Sequence, residues 1–264
     1  MSLGKQLRII LILFKMKLSH MMVFRLSFFG AFFVDGSLFL VQLLVFSSIY
    51  SQVDSIGGWT QGEMYIFIGT FSLINALNMV LFFFGINGIP AKIANGNLDH
   101  YLTKPMNPLL RLTFENINPG SVPLLFLSMG IIGYGLSQTT VDITVWNMGG
   151  YVLLVLLITV LWYDVGLILR TIPFFVISAG NITRLEELLE LCMKVPGTLF
   201  KGAFKVLFYF VLPYGIMSTL PTQFIAGKLG AAGIMYGLLT VVCFTCIALW
   251  FWSFGLRHYK SASS

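Results

Sequence analysis

Residues 148–170 read MGGYVLLVLLITVLWYDVGLILR, broken by one charge, Asp164, and closed by Arg170. About 20 mostly apolar residues are needed for a helix to cross the hydrocarbon core, so this stretch reads as a membrane span. Five others follow the same rule, at roughly 27–49, 64–85, 120–137, 204–220 and 233–255. Composition agrees: 57% of the 264 residues are hydrophobic and 10% charged, against about a quarter charged in soluble domains. A mean hydropathy of +0.89 and 25 phenylalanines point to a bilayer as solvent. The expected fold class is all-α: one polytopic transmembrane domain over 1–264, with six spans and short amphipathic cytoplasmic helices.

Lysine and arginine set the orientation. The stretch from Tyr50 to Gly62 has neither, and nor does the one from Ser137 to Asn147, which carries Asp142. Lys92, Lys104 and Arg111 lie between the second and third spans, and Arg184, Lys194 and Lys201 between the fourth and fifth. The first 25 residues add Lys5, Arg8, Lys15, Lys17 and Arg25, and the tail adds Arg257 and Lys260. Of the 16 basic residues, only Lys228 falls on the other side. The positive-inside rule then puts both termini in the cytoplasm. The net charge of +6 is spread between apolar runs, which favours membrane lipid over nucleic acid as its partner.

Residues 1–25 lack the uninterrupted apolar run of a signal peptide and read as a basic interfacial helix. Residues 183–197 read as a cytoplasmic amphipathic helix, with a capping box in Thr183-Arg-Leu-Glu186. Its apolar stripe is Leu185, Leu188, Leu189, Cys192 and Met193. Residues 88–111 form a shaped cytoplasmic element, because Pro105 and Pro108 forbid a simple helix. Pro213 interrupts the fifth span and Pro221 ends it, marking a helix break or re-entrant excursion. Gly233 and Gly237 have the spacing of a close helix contact.

No catalytic constellation is present. There is no GxxxxGK[ST] phosphate loop, HExxH or GxSxG, and His20, His100 and His258 all lie outside the spans. Cys243 and Cys246 have CxxC spacing inside an apolar helix, without the polar access a metal or redox site needs. No metal site, cofactor or enzymatic activity is expected of this chain. Asp35 and Asp164 are the two intramembrane charges. Each is a candidate for a substrate path or proton relay, or for a structural pair with Arg25 or Arg170.

The stretch Ile93-Ala-Asn-Gly96-Asn-Leu98-Asp99-His-Tyr-Leu102-Thr-Lys-Pro105-Met-Asn-Pro108-Leu resembles the signature I-x-x-G-x-L-D-x-x-L-x-x-P-x-x-P of a bacterial ABC-2 type permease family. Gly58-Trp59-Thr60, Leu212-Pro213-Tyr214, Leu220-Pro221-Thr222 and Gly255-Leu256-Arg257-His258-Tyr259 agree with it. Val195-Pro196 departs from the commoner Tyr-Pro. The resemblance implies an exporter permease in the bacterial cytoplasmic membrane. It would pair with a second permease, identical or homologous, and with separate ATP-binding-cassette ATPase subunits that hold ATP and Mg. It also implies that Ile93, Gly96, Leu98, Asp99, Leu102 and Pro105 form or support a coupling element against the ATPase. A Phe-rich path suits a hydrophobic or amphiphilic cargo, although lipid-facing surfaces are equally Phe-rich. The alternative is an ion-gradient-driven secondary transporter using Asp35 and Asp164.

Overall fold

The computed structural model describes residues 3–23, 25–141, 143–176 and 180–259, which among them contain helices and no strand. Helix α1 (Leu3–Val23) precedes α2 (Arg25–Tyr50). Helix α3 (Gln61–Asn78) runs through a π-helical stretch, Met79–Phe83, into α4 (Phe84–Ile86). Short helices α5 (Ile89–Ala94), α6 (Asp99–Leu102) and α7 (Pro108–Phe114) lead to α8 (Val122–Ser137) and α9 (Val145–Thr171). Helix α10 (Gly180–Leu191) is followed by α11 (Gly202–Val206), which continues into a π-helical stretch, Leu207–Val211. Helices α12 (Tyr214–Met217), α13 (Thr219–Ile225) and α14 (Ala231–His258) complete the chain.

Five segments are long and apolar enough to cross a membrane: Phe33–Tyr50, Gln61–Ala94, Pro119–Ser137, Val145–Phe174 and Ala231–His258. A bent pair, Gly202–Val211 and Tyr214–Ile225, turns by 77° and makes a sixth if counted as one span. Side chains set several helix starts. Thr60 and Glu63 form a reciprocal capping box on α3, with Thr60 N donating to Glu63 Oε2 at 2.9 Å. Asn107 caps α7 by accepting from the backbone of Leu109, with Pro108 in the first turn.

The core is built around α3 and α9. Helix α8 packs antiparallel on α3 at near-backbone contact. A Cβ on Gly135 would lie 2.7 Å from Ile66 N, and one on Gly69 3.0 Å from Ile132 N. Ser72 and Ser128 hydrogen-bond across this seam at 2.7 Å, a small-residue interface of the kind that joins helices in lipid. Gly237 packs within the chain, on Leu154 and Leu220. Helices α2 and α14 are peripheral and leave rows of large apolar side chains exposed, among them Leu44, Leu239 and Trp250.

The route of residues 180–199 corrects the expected cytoplasmic helix. Glu186 meets Arg170 at the C-terminal end of α9. Met193 is buried in the central core, and the Lys194 ammonium lies 6.0 Å from the centre of the Phe71 ring. Trp59 Nε1 then donates to Thr198 at 2.8 Å, and Leu199 packs on Gly57 in the α2–α3 turn. The segment therefore runs most of the length of the bundle, from the expected inner end to the expected outer end. Both ends of the bent pair sit at that outer end, because Lys228 donates to Gly58 O at 2.9 Å and to Glu63 at 2.7 Å. The pair is a re-entrant hairpin and takes the place of a fifth span over 204–220. Lys201 and Lys205 shift toward Lys228, which weakens the basic asymmetry without reversing it.

The physical reason is that α10 is amphipathic inside out. Glu186 is buried, whereas Leu185 and Leu188 are 47% and 62% exposed, so the expected apolar stripe is split. Only its Leu189, Cys192 and Met193 part packs on the core. A hydropathy scan sees Arg184, Glu186, Glu187 and Glu190 and places the helix in water. Helix α10 begins at Gly180, so Thr183 lies inside it and not at its N-cap, and Glu186 binds Arg170. Pro221 also needs correction: it lies in the first turn of α13, where its missing N–H costs nothing. Pro213 sits at the bend itself, immediately before α12. The side chains of Thr183 and of Arg25, the partner considered for Asp35, and residues Asp142 and Lys260 lie outside what the structure describes.

Candidate functional site

The 88–111 element is a compact knob between the second and third spans. Helix α5 carries Pro90 in its first turn and stops at Gly96, whose φ of +71° is a left-handed conformation that L side chains rarely adopt. That reversal sends Leu98 back into the protein. Leu98 is fully buried and Ile93 nearly so, in a cluster with Ile86, Ile89, Leu112, Leu167, Ala248 and Trp252. Those residues belong to α4, α5, α7, α9 and α14. The hidden side of the knob is thus fused to the ends of three spans.

Tyr101 ties the knob together. Its hydroxyl donates to Glu115 at 2.8 Å, and Glu115 is also ion-paired to Lys92. Lys92 and Arg111 lie 5.2 and 5.4 Å from the centre of the Tyr101 ring, within cation–π range. Burial, then the bond to Glu115, pushes the Tyr101 hydroxyl up to about 12. Behind it, Thr113 and Tyr163 hydrogen-bond at 2.9 Å. A Cβ on Gly85 would sit 2.0 Å from Thr113 O, so α4 and α7 touch at the backbone. The knob, α4, α7 and α9 are therefore in direct contact.

The six residues expected to couple divide by geometry. Ile93 and Leu98 are internal anchors, and Gly96 is the turn between them. Asp99 faces Tyr259 at the end of α14, and burial together with this carboxylate raises the Tyr259 hydroxyl above its ordinary range. Leu102, 41% exposed, and Pro105 stand on the outside with Asn95, Asn97, His100 and Thr103. The exposed side of the knob is thus an apolar side chain on a polar ridge.

Asp35 and Asp164 do not share a site. Asp35 is half-buried on α2, beside Gly36, which contacts Leu127 of α8. Asp164 is buried in α9 and accepts a hydrogen bond from Thr245 of α14. The pairing of Asp164 with Arg170 is corrected by the structure, because the Arg170 guanidinium is committed elsewhere. It donates to Glu186 at 2.7 Å, to Gly166 O at 3.3 Å and to Asn87 at 3.4 Å, and lies 5.6 Å from the Phe83 ring centre. Both members of the pair are buried, at 3% and 5% side-chain exposure. The pair joins the end of the second span, α9 and α10. Neither it nor the Tyr101–Glu115–Lys92 cluster is legible in the sequence, since their bonded members lie 14 to 23 positions apart and follow no helical period. The one available signal was an arginine closing an apolar run.

The family model described as ABC-2 family transporter protein matches residues 37–263. No curated protein and no solved structure matches the chain. The matched span takes in every segment from most of α2 through α14, including the knob. Families of this kind work with ABC ATPases in general. The chain belongs to the ABC-2 transporter family, and is a multi-pass permease component of an ABC transporter.

Proposed function

We propose that this chain is the membrane-spanning subunit of a bacterial inner-membrane exporter. It would be driven by separate ATP-binding-cassette subunits that carry ATP and Mg, and would pair with a second permease. The observation that carries the reading is the knob at 88–111. Its exposed ridge, Asn95 to Pro105, is continuous through Ile93 and Leu98 with the ends of α4, α9 and α14. Closure of an ATPase dimer would push on Leu102 and its neighbours, and a rigid knob passes that push to three spans at once. The bundle then changes between arrangements of different cargo affinity, a switch of binding rather than chemistry in this subunit. The exposed apolar faces suit a hydrophobic or amphiphilic cargo. A gradient-driven carrier draws no support from Asp35 and Asp164, which face different helices.

The test is co-purification in mild detergent from the native membrane, scored for an ABC ATPase. With L102D, which places a charge on the ridge and leaves Ile93 and Leu98 untouched, the ATPase should be lost while the protein stays monodisperse. An ATPase that never co-purifies, or one held equally well by L102D, overturns the reading.

A further inference from the structure

Helix α1, the 104–106 end of the knob and α7 enclose a cleft of ≈ 520 Å³, lined by Ile9 and Leu13 on one side and by Lys104, Pro105, Met106, Arg111 and Glu115 among others on the second. Lys17 donates to Asn116 at 3.0 Å and holds the two walls together. The volume lies in the range of small-molecule sites. The lining combines apolar side chains, Ile9, Leu13 and Met106, with two cations, Lys104 and Arg111. Glu115 does not neutralise them, because its carboxylate is bound by Lys92 and by the Tyr101 hydroxyl. Among the described residues, neither Lys104 nor Arg111 has a carboxylate within ion-pair distance.

We propose that this cleft binds an anionic phospholipid. The phosphate would lie on Lys104 and Arg111, and the first part of an acyl chain against Ile9, Leu13 and Met106. Two observations favour a lipid over a free anion. A soluble phosphate has no use for an apolar wall. Helix α1 also exposes Leu11, Ile12 and Met16, at 67%, 50% and 63%, beside the exposed Arg8 and Lys15, as a helix lying in the headgroup region does. Basic side chains at that depth attract acidic headgroups, and a guanidinium fits a phosphate in a bidentate pose. The lipid would brace α1 against the C-terminal end of the knob.

The test uses the full chain, purified and delipidated in detergent. Native mass spectrometry reads retention of phosphatidylglycerol against phosphatidylcholine, with competition by dihexanoyl phosphatidylglycerol and by inorganic phosphate. Phosphatidylglycerol should be retained preferentially, and the short-chain form should displace it where inorganic phosphate does not. Occupancy affinity should fall roughly 5-fold for K104Q or R111Q and about 25-fold for both, with recovery in K104R. R257Q, at the exposed end of α14, should bind as the unaltered chain does. Equal retention of the two lipids, displacement by inorganic phosphate alone, or an equal loss in R257Q would each overturn the proposal. Monodispersity of each variant by size exclusion separates loss of the site from loss of fold.

Discussion

Removing Glu186 strands the Arg170 guanidinium in the bundle. In the intact protein the cation has a 2.7 Å charge-assisted bond to Glu186, longer contacts of 3.3 and 3.4 Å to Gly166 O and Asn87, and the Phe83 face. At 2% exposure it has no route to water. Breaking a buried pair by deleting one partner costs about 3–5 kcal/mol, because the remaining charge is uncompensated. The surviving contacts place E186A near the lower end, at ~3 kcal/mol. E186Q keeps an acceptor for the guanidinium but removes the opposing charge, at ~2 kcal/mol. Replacing both partners, in R170M/E186L, removes the stranded charge and should recover most of the loss. Reversible unfolding in mixed micelles of the unaltered chain, R170M, E186L and R170M/E186L closes a double-mutant cycle, with E186A and E186Q measured beside them. If E186A lies within ~0.5 kcal/mol of the unaltered chain, or the double variant is no better than E186A, the pair is not the buried lock described here.

Three further outcomes follow from the packing. In a chain with Cys192, Cys243 and Cys246 replaced by serine, a cysteine at Lys201 should react with a membrane-impermeant maleimide from the same side as one at Lys228. A cysteine at Thr103 should react from the opposite side, and labelling of Lys201 with Thr103 would restore the cytoplasmic placement of 183–197. G135V inserts methyl groups where a Cβ alone is 2.7 Å from Ile66 N; the α3–α8 seam should lose at least ~1–3 kcal/mol, read as a lower unfolding midpoint, and an unchanged midpoint would refute the seam. Y101F removes the hydroxyl that binds Glu115 and should cost about 1.5–3 kcal/mol, with the knob becoming more protease-sensitive; unchanged cleavage would show that Tyr101 is not its tie.

Residues whose local pattern is self-sufficient were read correctly without coordinates. The spans around 27–49, 64–85, 120–137, 148–170 and 233–255 each carry enough apolar surface that no tertiary partner can overrule their transfer into lipid. The break at 88–111 was also legible, because a glycine and two prolines restrict the backbone wherever they stand. So was the family, through the spacing of Ile93, Gly96, Leu98, Asp99, Leu102 and the two prolines, although the division of those residues into buried anchors and an exposed ridge was not. What only tertiary structure decided is the fate of charge near the membrane. Whether Glu186 lies in water or in the bundle depends on Arg170, which is 16 residues away and recruited by the meeting of α9 with α10. A carboxylate's burial cost is set by its partner, and a one-dimensional hydropathy scan assigns that cost as though no partner existed. For that reason the scan leaves 183–197 at the inner surface, although residues 186–199 run along the bundle, and it reads the hairpin behind them as the span.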